Sequence, residues 1–196
     1  MAAVRALAVP EGYDRVANPR LASFAAQLDD QLAHLKRNTA ELGLQQLEWQ
    51  PHLGVNSIGM LLAHLAVVEV WWLRVAPREE PESEHDTIAR RIIGIAMDDD
   101  GMPLAAGGRH PKSLAGTEIA DYLRMLGAAR AATHGELRGW RDDELGRSFT
   151  LRSREISREW AVYHVLEHFS AHHGQILLLK HLMRDAGVLP QPQPTS

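Results

Sequence analysis

The chain has 196 residues, 25 Asp and Glu against 21 Lys and Arg, and no cysteine. That length suits one domain able to bury about 70% of its unfolded surface. Scattered basic residues within a mildly acidic whole argue against a nucleic-acid-binding surface, and the lack of cysteine excludes disulfides, thiolate ligands and a cysteine nucleophile. No apolar run is read as reaching the roughly 20 residues of a membrane span, and residues 1–9 make at best a weak signal-peptide candidate. A cytoplasmic protein that binds no membrane is the expectation.

Residues 1–19 read as an irregular lead-in, broken by Pro10, Gly12 and Asn18-Pro19. A first long helix follows, with Leu21, Phe24, Ala25, Leu28, Leu32, Leu35, Thr39 and Leu42 on one face and Gly43 as its stop. Residues 44–55 form a connection in which Trp49 and Leu53 tuck inward. Asn56 or Ser57 caps a second helix, apolar on nearly every side and ended by Pro77, so it is central or dimer-forming. His64 sits in its middle.

Residues 77–115 form an insertion with an acidic start, a short helix at 87–97 and a loop containing Asp98-Asp99-Asp100-Gly101. Three Asp before Gly suggest a calcium loop, but the ligand spacing and closing Glu are missing. A third long helix covers 117–140, residues 142–146 turn, and residues 148–151 are extended. A last long helix runs over 154–185. The division is a lead-in at 1–19, a helical domain at 20–187 and a flexible Pro/Gln tail at 188–196. Four long amphipathic helices with one substantial crossover predict an all-α four-helix bundle, with the short helix and loop inserted between its second and third helices.

Histidine carries the chemical signal: four of the 11 fall within 164–173. His164, His168 and His172 recur every four residues and form a stripe on the last helix. Two neighbours in that stripe can grip one metal ion; the stripe drifts by about 40° every four residues, so both 164/168 and 168/172 are open on spacing alone. His64 is the best third ligand, because an imidazole in an apolar helix needs a partner. A set of His64, His168 and His172 leaves an open coordination position, as catalytic sites do. Three neutral imidazoles suit Zn, Ni, Fe or Cu and disfavour Mg and Ca. His164 and His173 are candidate helpers in proton transfer or support. Buried core histidines and solvated helix faces are the bland alternatives. His34, His52, His85, His110, His134 and His181 read as surface or boundary residues. Glu69, about 140° around the helix from His64, reads as an arginine's partner or a support behind the ligands, and Trp71, on the His64 face, as core or pocket wall.

Asn56-Ser57-Ile58-Gly59, His64-Leu65-Ala66 and Glu69-Val70-Trp71-Trp72 resemble the second-helix signature of the DinB-like superfamily, and residues 168–175, His-Phe-Ser-Ala-His-His-Gly-Gln, are similar to its last-helix signature. The resemblance covers roughly residues 20–185. It implies a four-helix bundle, often dimeric, with a divalent metal on His64, His168 and His172; Gly174-Gln175 favours the pair 168/172. Some relatives carry Glu where this chain has His168. Relatives with assigned activity include S-transferases and an isomerase that use bacterial thiols such as bacillithiol or mycothiol. The expectation is therefore a Zn or Ni enzyme (Fe also accommodated), a homodimer, that activates a low-molecular-weight thiol for transfer to an electrophilic small molecule. The alternatives are a hydrolase using metal-bound hydroxide and a non-catalytic metal-binding stress-response protein.

Overall fold

The computed structural model of the chain describes residues 6–191. Six α-helices and one β-hairpin account for its regular structure: α1 (Pro19–Thr39), α2 (Leu44–Glu48), α3 (Ile58–Val70), α4 (Glu82–Ile93), α5 (Ile119–Leu137), β1 (Ser148–Leu151), β2 (Arg154–Ser157) and α6 (Arg158–Asp185). The chain is mainly helical. Long helices α1 and α3 each pack against both α5 and α6.

Sequence explains the central place of α3. Ser57 Oγ accepts a hydrogen bond from the Met60 amide and starts the helix. Beyond it, Ile58 through Ala63, Leu65, Ala66, Val67, Glu69 and Val70 are all buried. Gly59 permits the closest approach, because a Cβ there would come within 2.6 Å of the Tyr122 hydroxyl on α5 and 3.1 Å of the Leu47 carbonyl. Past Val70 the helix widens into a π-type turn at Trp71–Val75 and tightens into a 3-10 turn at Ala76–Arg78. Within Ile58–Arg78 an 18-residue stretch has a mean hydropathy of 1.6, so one helix among the described residues is long and apolar enough to cross a membrane, contrary to the sequence reading. Its most apolar stretch is 72% buried inside the fold, the behaviour of a core helix.

Two apolar clusters fill the interior. One gathers Leu35, Leu61, Leu65, Tyr122, Leu126, Phe169, Ile176 and Met183; the other gathers Leu21, Leu28, Leu73, Leu137, Trp140, Phe149, Val165 and Leu166. Each fully buried large side chain contributes about 1.5–3 kcal/mol of transfer free energy. The clusters meet halfway along α6, where Leu166 belongs to one and Phe169 to the other. His168 lies at that junction.

Several boundaries differ from the sequence reading, each for a local reason. The inserted helix spans Glu82–Ile93 rather than 87–97. Glu82 and Glu84 in its first turn complement the helix dipole, and Gly94, with φ +84°, stops it before Ile95. Residues 154–157 are not helical. They pair antiparallel with β1, Ser148 opposite Ser157 and Leu151 opposite Arg154, and Ser157 then caps α6 by accepting from the Trp160 amide. The hairpin turns on Arg152 and Ser153, both at positive φ. Hairpin turns of that shape favour Asn and Gly, so the pair gave no turn signal. The connection at 44–55 holds the short helix α2, and Leu53 is exposed rather than tucked. Of the expected tail, Val188 and Leu189 pack against the larger cluster, and residues 192–196 lie outside the described residues.

Candidate metal centre

α3 and α6 run side by side and bring His64 against His168 and His172. The Nε2 atom of His168 lies 3.2 Å from Nε2 of His64 and 3.1 Å from Nε2 of His172. The three candidate donor atoms all fall within 4.8 Å of one another. The i, i+4 spacing on α6 supplies one pair and the pairing of the two helices supplies the third member.

The outer nitrogens decide which way the lone pairs point. His64 Nδ1 sits 2.8 Å from Asp100 Oδ2, and His172 Nδ1 sits 2.8 Å from Gln175 Oε1. A carboxylate and an amide oxygen only accept, so both Nδ1 atoms carry the proton and donate. In the neutral form of each ring, Nε2 then turns an unprotonated lone pair toward His168. Two inward lone pairs against a third imidazole nitrogen make an arrangement that a cation at the centre would satisfy. That donor set fits a divalent transition metal.

Electrostatics favour neutral rings at His168 and His172. Burial, followed by the proximity of His172, His64 and His164, pushes the His168 pKa down to about 3. Burial also lowers that of His172, against the Gln175 hydrogen bond that raises it. A ligand imidazole must be neutral to bind, so no proton has to be displaced from His168 at neutral pH. In the unfolded chain His168 titrates near 6.5. Above that pH it is neutral in both states and imposes no pH dependence. Below it the unfolded state takes up a proton that the folded state refuses, so stability falls as the pH drops from about 6.5 toward 3. Chelator-stripped protein should thus unfold at lower denaturant at pH 5 than at pH 7.5, and His168→Gln should show a smaller difference. Equal differences in the two proteins would refute this role of His168.

The helper candidates separate. His164 stacks on Trp160, with ring centroids 4.8 Å apart and planes 8° from parallel, and meets Trp72 edge-on at 4.7 Å. Its ring is 5.7 Å from that of His168. His173 points elsewhere, its Nε2 2.9 Å from Asn38 Nδ2 on α1.

Beside His64 opens a cleft of about 760 Å³. Val67, Val68, Trp71 and Trp72 form one wall, the insertion contributes Glu82, His85, Asp86, Met97 and Asp98, and the hairpin tip adds Leu151 and Arg152. Trp71 is thus a pocket wall as well as core packing.

Sequence reasoning missed Asp100, which is 2% exposed and bonded to His64. The available signal was the Asp triplet itself, sitting in a segment that crosses from one site helix toward the rest of the core. His134 was also misjudged, while His110 is the boundary residue expected. His110 Nδ1 lies 2.7 Å from Ser57 Oγ, and His134 is buried between Tyr13 and Asp29. Glu69 does have an arginine partner, Arg130.

The profile of the DinB superfamily matches residues 27–176, which takes in α3, the insertion and the three histidines. The chain belongs to the DinB superfamily. Among solved structures, a conserved protein from Enterococcus faecalis superposes with a TM-score of 0.60 at 14% identity, covering 82% of this chain and 94% of that one. At that identity the likeness concerns the fold of the DinB chain alone. No curated protein matches it.

Proposed function

We propose that this DinB protein is a divalent-metal-dependent enzyme that activates a low-molecular-weight thiol for transfer to an electrophilic small molecule. The observation that carries the metal reading is the convergence of three Nε2 atoms, two of them with lone pairs turned inward by Asp100 and Gln175. His64, His168 and His172 would hold the ion. Three imidazoles favour Zn or Ni and accept Fe. A metal held there would lower the pKa of an entering thiol, so that thiolate forms near neutral pH.

The remaining chemistry belongs to the chain. With no cysteine of its own, the protein takes its thiol from outside. Trp71, Trp72, Val67 and Val68 keep water from one side of the cleft and leave the His64 side for the reacting groups. His164, whose pKa is lowered by burial against the opposing pull of Glu167, is neutral and able to accept the thiol proton. The four long helices α1, α3, α5 and α6 are read as a four-helix bundle forming one domain over 20–187. The protein is further proposed to act as a cytoplasmic homodimer on a small-molecule substrate, without nucleic acid or membrane as partner.

The test is metal analysis of the native protein beside His64→Ala and His172→Ala. The wild type should retain its metal and both variants should lose it; variants that keep full metal overturn the ligand set. Loaded wild type should then consume an electrophile only when a low-molecular-weight thiol is present. Turnover without thiol would instead favour hydrolysis.

A further inference from the structure

We infer that Asp100 is a positioning residue for the metal site, a buried carboxylate that holds His64 in the single tautomer and orientation able to bind a metal. The inference rests on the metal reading above. Asp100 stands in the turn that follows α4, midway through an insertion of which Glu82, His85, Asp86, Met97 and Asp98 line the cleft. The three consecutive aspartates have separate surroundings. The Asp98 side chain is exposed and lines the cleft. Asp99 holds the turn together, its Oδ2 accepting from the Ala96 amide at 2.8 Å. Asp100 alone is fully buried.

A buried carboxylate is costly unless hydrogen bonds compensate it. Asp100 has one on each oxygen. Oδ1 accepts from the Met102 amide at 2.9 Å, which fixes the carboxylate to its own loop. Oδ2 accepts from His64 Nδ1 at 2.8 Å. In the opposite tautomer the Nδ1 lone pair would face the carboxylate, and the Nε2 proton would point among the other two imidazoles. Both changes are unfavourable, so the carboxylate selects the state in which Nε2 is free to ligate. It also supplies a negative charge beside an otherwise neutral three-imidazole set, which makes His64 a better donor. Because Met97 and Asp98 wall the cleft within three residues of Asp100, one short segment serves both the metal ligand and the substrate space.

The experiment measures zinc affinity by chelator competition for wild type, Asp100→Asn and Asp100→Ala. Alongside it go the melting temperatures of the stripped proteins and the visible spectra of their cobalt-loaded forms. Asn keeps the shape and one acceptor but removes the charge. Asp100→Asn should bind zinc about 10–100-fold more weakly, while its stripped form melts with the wild type and its cobalt spectrum changes. Asp100→Ala should lose at least as much affinity; if it fails to fold, the Asn variant answers alone. An Asn variant with wild-type zinc affinity overturns the inference and leaves the metal reading standing. So does a stripped Asn variant destabilised enough to account for the lost affinity, which would make Asp100 merely structural. A wild type that binds no zinc overturns the metal reading and this inference together.

Discussion

Replacing Glu69 by Ala is expected to destabilise the protein by about 3–5 kcal/mol, the usual cost of stranding one member of a buried ion pair. Glu69 is 1% exposed and Arg130 4%. The guanidinium binds the carboxylate in two places, Nε to Oε1 at 2.7 Å and Nη2 to Oε2 at 3.2 Å. Burial pulls the Arg130 pKa down, but Glu69 and Asp29 outweigh it and the net shift is upward. Remove Glu69, and the charge stays buried with only the half-exposed Asp29 to face it. In a domain of this size the melting temperature should fall by about 10 °C. The double replacement Glu69→Met, Arg130→Met removes both charges and should cost far less than the two single changes summed. Urea unfolding of the four proteins closes the cycle. If the single and double losses simply add, the pair is not coupled and the explanation is wrong.

That pair also shows what a sequence can and cannot disclose. A glutamate within an apolar helix announces that it needs a cationic partner. Which arginine answers depends on how α3 lies against α5, and nothing local to residue 69 encodes that. The same division holds at the metal centre. The i, i+4 histidines and His64 were legible because helical spacing and the cost of an unpartnered buried imidazole are local properties. Spacing could not choose between 164/168 and 168/172. Packing separates the two in the fold, where Trp72 and Trp160 enclose His164 while the His172 ring comes 5.1 Å from that of His64. Asp100 was hidden for a different reason. Three adjacent aspartates look alike in sequence, and only the path of the loop decides which one turns inward. The extended piece at 148–151 was legible, but the turn and second strand of the hairpin went unseen because Arg152 and Ser153 occupy left-handed positions that glycine or asparagine normally advertises.

Among the proposed ligands, His168 is the one whose loss should be felt most, because its Nε2 lies within 3.2 Å of both other candidate donors while the His64 and His172 rings are 5.1 Å apart. On the proposed reading zinc binds the folded protein far better than an unfolded chain, in which the three histidines lie 104 and 4 positions apart in sequence. Wild type at a free zinc concentration 1,000 times Kd should therefore gain about 4 kcal/mol of stability. His168→Ala should lose nearly all of that gain. The stripped proteins should differ in their acid sensitivity. Wild type carries an imidazole whose pKa burial and its three neighbours hold near 3, and it gives up stability as the unfolded chain protonates below about 6.5. The alanine variant has no such proton to refuse, so its stability should decline less steeply between pH 7.5 and pH 5. Melting both proteins with and without zinc, at the two pH values, separates the cases. A variant that zinc still stabilises as much as wild type would remove His168 from the site. A variant that loses the zinc effect yet keeps the wild-type acid sensitivity would show that the ligand binds metal but that its depressed basicity costs the fold nothing.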